Sequence, residues 1–268
     1  MTAAKETRLV DLTLLLAEDL PCYWSTHLPF QHKTWTWYAG RDDPSGRVHN
    51  RGGPYTTRWL AIDEHTGTHA DAPSHFVPPP GSGLPHAGPA GEVTIDKVPP
   101  EQFCGPAAVV DVTALTAVEM PPGISPIIGP ELLLDWEREH GTFAAGDIVL
   151  FRTGWDQRYR ADDAGRGYLH DVVVTGRASG WPAPDPPAME LLLRRGVRCV
   201  GTDAPSMGSA HDGQPVHVHG LSGGAVFVEC LTGLDALPAR GAEFCFLPLK
   251  LRDGTGAPGR AVAWVLSG

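Results

Sequence analysis

The sequence predicts a mixed α/β fold, built as a single domain over residues 1–268, and three observations carry that expectation. Six short runs, 107–112, 147–152, 197–201, 225–228, 244–251 and 261–266, are apolar and rich in β-branched or aromatic residues, the pattern of strands buried in a sheet. Two segments carry helix punctuation at both ends. Asp185 stands as an N-cap before Pro186, and Gly196 follows Arg194 and Arg195, so a helix is expected over 186–195. Residues 130–140 open on Pro130 and stop at Gly141 in the same way. The order strand 147–152, helix 186–195, strand 197–201 is that of a crossover unit, with a long connection over 153–185. A chain of this length buries about 73% of its unfolded surface, enough for a self-sufficient core.

Composition then narrows the classes. Twenty-one Lys and Arg against 31 Asp and Glu leave a formal charge of −10, which argues against nucleic acid or an anionic membrane as partner. The longest early apolar stretch, 12–17, lies between Asp11 and Glu18, too short for a membrane span and without the order of a signal peptide. The five cysteines are odd in number and widely spaced, with no Cys-x-x-Cys pair. They read as reduced, mostly buried thiols of a cytoplasmic protein. Residues 20–59 are irregular and aromatic, holding Trp24, Phe30, Trp35, Trp37, Tyr38, Tyr55 and Trp59, while 78–91 and 182–187 read as Pro/Gly surface loops.

The chemistry concentrates in Asp63-Glu64-His65-Thr66-Gly67-Thr68-His69-Ala70-Asp71-Ala72-Pro73-Ser74-His75-Phe76. His65 and His69 are four apart, but Gly67, the threonines and Pro73 oppose a helix. In an extended chain His65, His69, Asp71 and His75 share one face. A fully extended chain would hold His65 and His69 roughly 13 Å apart, too far for one ion. The chain must therefore bend, and Gly67 is the residue that permits it. Two imidazoles and a carboxylate so placed suit zinc or manganese. Downstream, Glu229 follows an apolar run and precedes Cys230 and Leu231, a costly place for a carboxylate unless it is paired or metal-bound. His217, twelve residues earlier, is placed to complete a second shell.

His65-x-Gly67-Thr68-His69-x-Asp71-x-Pro73-x-His75-Phe76 resembles the signature of the cyclase family of metal-dependent hydrolases, the kynurenine formamidase and isatin hydrolase type. Asp11-Leu12-Thr13, the 150–155 and 201–206 blocks, and Glu229-Cys230-Leu231-Thr232-Gly233-Leu234 resemble further family blocks in the same order. The resemblance implies a swivelling β/α/β fold, a homo-oligomer (dimer or tetramer), a small-molecule substrate and one or two divalent ions, Zn²⁺ or Mn²⁺. It implies His65, His69 and Asp71 as ligands of the first ion, with Asp71 bridging to a second held by His217 and Glu229; His219 is the weaker alternative to His217. It implies His75 as catalytic acid/base and an aromatic residue against the substrate, Trp24 with Tyr23 as its rival.

The activity implied is cleavage of an amide C–N bond, in an aryl formamide or a cyclic amide, by metal-activated water, with a lactone possible. The additional length at 24–58 and 78–91 flanks the expected site and leaves the substrate open; the aromatic region is expected to wall a planar substrate. It also favours an alternative, a metal-dependent cyclase of secondary metabolism that closes a ring in a planar aromatic or polyketide-like molecule. A non-catalytic metal-binding module would not need His75. Two decoys are set aside. Gly254-Thr255-Gly256-Ala257-Pro258-Gly259 matches a dinucleotide fingerprint in letters, but a strand-like run follows it, so it reads as a hairpin turn. Ser206, in Ala204-Pro205-Ser206-Met207-Gly208, lacks the first glycine of a nucleophile elbow, and Asp203 reads as structural.

Overall fold

Apolar residues at every position of a strand demand cover on both faces, and a ring of strands wrapped by helices provides it. The computed structural model describes residues 7–36, 38 and 55–266, so Trp37 and 39–54 of the aromatic region lie outside the described residues. The strands are β1 (Thr7–Asp11), β2 (Gln31–Thr36), β3 (Thr57–Ala61), β4 (His69–Asp71), β5 (Cys104–Asp111), β6 (Ile127–Ile128), β7 (Ile148–Arg152), β8 (Ala183–Pro184), β9 (Cys199–Thr202), β10 (Val226–Glu229), β11 (Ala242–Pro248) and β12 (Gly256–Leu266). The α-helices are α1 (Thr113–Thr116), α2 (Pro130–His140), α3 (His170–Val173), α4 (Pro186–Arg194) and α5 (Gln214–Ser222).

Seven strands follow one another around a barrel-like sheet in the order β12-β11-β5-β7-β9-β10-β4, and β4 returns to β12. The long β12 makes the closure. Its first residues pair with β4 and its last with β1, while β11 runs along its other edge. β5, β7, β9 and β10 are parallel, as the crossover pattern predicts, and α4 connects β7 to β9. Alternation along the strands separates two cores. Ala107, Val109, Ile148 and Leu150 point inward with Phe244 and Phe246. Ala108, Val110, Val149 and Phe151 point outward beneath Leu133 and Trp136 of α2 and Met189 and Leu192 of α4. The caps behave as read: Asp185 accepts the Ala188 N–H at 2.8 Å, and Gly141 leaves α2 at φ 87°.

Several expectations are corrected. Cys104 and Cys245 form a disulfide, Cα atoms 4.2 Å apart, because the β11–β5 register sets them opposite each other; Cys22, Cys199 and Cys230 are free and buried. A sequence separation of 141 concealed that pair. Residues 182–184 are buried rather than a surface loop, since β8 pairs with β6. Gly256 to Gly259 lie inside β12, and the hairpin turn precedes them. Among the described residues, no helix is long and apolar enough to cross a membrane.

Candidate metal centre

The first half of the centre is one bent segment. Gly67 sits at φ 60°, and a side chain there would collide with Leu16, so the turn requires glycine. The bend brings the His65 and His69 rings to 5.0 Å between centroids, nearly perpendicular. His69 and Asp71 then share a face of β4, two residues apart. The second half comes from elsewhere. His217 lies on α5, and Glu229 ends β10, where the antiparallel ladder places it opposite His69.

The ring hydrogens are already committed. His69 Nδ1 donates to the Gly67 carbonyl at 2.7 Å, and His217 Nδ1 donates to the Gly213 carbonyl at 2.7 Å. In the neutral imidazoles both Nε2 lone pairs therefore face carboxylates. His69 Nε2 lies 3.5 Å from Asp71 Oδ1 and 3.6 Å from Glu229 Oε2. His217 Nε2 lies 3.2 Å from Glu229 Oε1 and 3.7 Å from Asp71 Oδ2. His65 Nδ1 approaches Asp71 Oδ1 at 2.8 Å. Asp71 Oδ2 is buried without a hydrogen-bond partner. Such a gathering of lone pairs calls for a cation.

Two ligand sets emerge, His65–His69–Asp71 and Asp71–His217–Glu229, with all donor atoms of a set within 4.8 Å of one another and Asp71 common to both. Charge in the centre follows the same logic. Burial opposes ionisation of Asp71, yet His75, His65 and His69 hold its carboxyl well below the usual range. Burial lowers His69, but the Asp71 carboxylate outweighs it and lifts the imidazole well above its usual value.

His75 does not continue the strand face. Pro73 starts a single 3₁₀ turn, Pro73–His75, and this turn stacks the His75 ring on His65 at 3.9 Å. Burial pushes the His75 imidazole down to about 3, against the pull of Asp71. Beside it Phe76 stacks on His217 at 4.2 Å. A cavity of about 240 Å³ opens over the centre, and both Tyr23 and Trp24 line it. Trp24 packs edge-on against Trp181, centroids 6.1 Å apart.

The expected aromatic wall is smaller than read: Trp35, Tyr38, Tyr55 and Trp59 are exposed and do not line this cavity. Phe76, Tyr168, Leu169 and His27 do line it. Phe76 closes the motif, but nothing near Tyr168 or Leu169 in sequence marked them. His27 Nδ1 meets Asp63 at 3.1 Å. His219 turns instead to Glu190 on α4, at 2.8 Å. Asp203 accepts from the backbone N–H groups of Thr153 and Gly154, each at 2.8 Å, and braces the loop after β7. Ser206 Oγ lies 3.5 Å from Glu229 Oε1.

A barrel-like mixed sheet carrying a buried His/Asp/Glu centre at the junction of β4 and β10 defines an α/β protein of the metal-dependent hydrolase type. The chain belongs to the cyclase family: the family model described as putative cyclase matches residues 10–209. It is 34% identical over 219 residues to isatin hydrolase of Roseibium aggregatum, covering 80% of this chain and 76% of that protein. It is 33% identical to kynurenine formamidase of Salinibacter ruber, covering 87% of each. Among solved structures, an isatin hydrolase bound to the product analogue thioisatinate superimposes with a TM-score of 0.74 at 28% identity, over 98% of this chain and 94% of that one. Isatin hydrolase A from Labrenzia aggregata, bound to benzyl benzoate, gives 0.73 at 31% identity, over 97% and 94%.

Proposed function

We propose that this chain is a metal-dependent amidohydrolase that opens the C–N bond of an aryl formamide or a cyclic amide, with a lactone as a further substrate type. The single observation that carries this reading is the buried Asp71 carboxylate, shared between two His/carboxylate sets and left with an unpartnered oxygen. The relatives named isatin hydrolase and kynurenine formamidase support the bond class. His65, His69 and Asp71 would hold one Zn²⁺ or Mn²⁺, and Asp71, His217 and Glu229 a second. A divalent cation in such a site supplies Lewis acidity, polarising a carbonyl and acidifying water.

The chain's own groups do the rest. Trp24, Tyr23 and Phe76 give a cavity of about 240 Å³ apolar walls, suited to a planar aromatic substrate of one or two rings. A ring nitrogen of His75 takes a proton as water adds to the carbonyl carbon, and returns it to the nitrogen as the C–N bond breaks. Residues 1–268 act as one domain in this reading. A homo-oligomer, dimer or tetramer, is supported by the family resemblance.

The test is turnover of aryl formamides, isatin-like cyclic amides and lactones in ¹⁸O-water, before and after chelation. The expected result is product carrying ¹⁸O, activity lost in excess chelator and activity restored by zinc or manganese. Full activity after verified metal removal would overturn the reading. Product without ¹⁸O would reassign the site to ring closure.

A further inference from the structure

The turn before β12 sets Thr255 against the far side of the His65 ring, and Glu64 completes a line of three side chains. Glu64 Oε2 accepts both the Thr255 backbone N–H and the Thr255 hydroxyl, each at 2.8 Å. A hydroxyl has one proton, so with that proton directed at Glu64 the Thr255 oxygen offers only lone pairs to His65 Nε2, 3.1 Å away. The hydrogen of that contact must therefore sit on Nε2. With Nε2–H held by Thr255, Nδ1 is the ring nitrogen left for a cation, which would take the place of the proton that joins Nδ1 to Asp71 Oδ1 at 2.8 Å.

We infer that Thr255 and Glu64 are positioning residues of the centre: they lock His65 as the Nε2–H tautomer, so that it offers Nδ1 to the ion while His69 and His217 offer Nε2. The inference rests on the metal-centre reading above. Three packing facts leave the ring no alternative. A Cβ at Gly256 would lie 2.6 Å from His65 Cε1 and 3.1 Å from Nδ1, so only glycine lets the strand pass that close. Gly256 is also the register partner of Asp71 in the β4–β12 ladder, so the pairing that closes the barrel sets the spacing between ring and carboxylate. The turn itself is pinned: the Thr255 carbonyl accepts from Ala72 N at 2.8 Å and the Gly254 carbonyl from Ile95 N at 2.9 Å. A residue 190 positions away in sequence thus decides which nitrogen of His65 is available.

The test uses metal affinity rather than turnover. Zn²⁺ and Mn²⁺ alone are titrated into metal-free wild type, Thr255→Val and Thr255→Ser in competition with a chromophoric chelator. Valine keeps the shape and the backbone N–H but removes the relay oxygen, and it is expected to weaken binding about 10- to 100-fold, as loss of a ligand-orienting hydrogen bond does. Serine restores the hydroxyl and is expected to bind like wild type. In zinc-loaded wild type, ¹⁵N-histidine spectra are expected to show His65 protonated at Nε2, a measurement that needs no variant to fold. Valine binding as tightly as wild type, or His65 protonated at Nδ1, would overturn the relay and leave the metal centre standing. Wild type that takes up neither ion would bring down both.

Discussion

The two halves of the centre reach the same cavity by opposite routes. His65, His69 and Asp71 lie within one seven-residue stretch whose bend is made by Gly67, so this half is local. His217 and Glu229 come from a helix and a strand end, and meet the first half only because β10 pairs with β4 in a register that sets Glu229 opposite His69. The local half depends on one glycine and its neighbours; the distant half depends on the barrel being closed. Asp71 belongs to both, paired with Phe227 of β10 on one edge and Gly256 of β12 on the other.

Asp71→Asn is accordingly the largest break available. The amide keeps the shape but loses the charge that both ligand sets share. Bound metal is expected to fall to background and turnover with it, as measured by elemental analysis of the purified variant. Stoichiometric metal in that variant would show that the halves do not share a carboxylate. His75→Ala separates binding from chemistry. By sequence His75 belongs to the local half, yet its ring stacks on His65 and lies 6.5 Å from His217, bridging the two. The variant is expected to retain its metal and to lose about 10²- to 10⁴-fold in kcat, the usual worth of a positioned acid/base. An unchanged kcat would remove His75 from catalysis.

Which parts were legible follows the same division. The local half could be read because its logic is contained in the spacing: imidazoles too far apart when extended, and one glycine able to bend the chain. The capped helices were readable for the same reason, since Asp185 and Gly141 act within a turn of where they stand. What depends on register was not. Nothing near Cys104 indicates that Cys245 will lie across from it, or near Thr255 that it will touch His65. The glutamate at 229 was suspicious only because it ended an apolar run; its partner strand was invisible. Even inside the motif, Pro73 turned His75 off the strand face that alternation had assigned to it, because proline favours the start of a 3₁₀ turn. Aromatic richness misled where hairpin residues such as Trp35 and Trp59 proved to be exposed rather than cavity-lining.

The smallest effect on the centre, and the finest test of how its distant half is framed, lies at Asp203. This residue follows β9, the strand between β7 and β10, and its carboxyl accepts from Thr153 N, Gly154 N and the Thr153 hydroxyl. Burial pushes it up to about 7 against those donors, with Asp156 adding to the rise. A folded-state value above the ordinary 3.8 means that, between about pH 4 and 7, the native chain keeps a proton the unfolded chain has released. This contribution to stability is therefore whole below about pH 4 and is lost as pH rises through 7, amounting to on the order of 4 kcal/mol. Asp203→Asn cannot titrate, so the difference between wild type and variant isolates that slope from the histidines. The variant is also expected to be about 1–3 kcal/mol less stable at the acid end, because its amide must turn an N–H toward one of the backbone donors. Denaturant unfolding at pH 5 and pH 8 reads both: wild type should lose more stability across that interval than Asp203→Asn. Equal losses would mean that the carboxyl is ionised throughout, bracing the Thr153–Gly154 loop as an anion rather than as a buried acid.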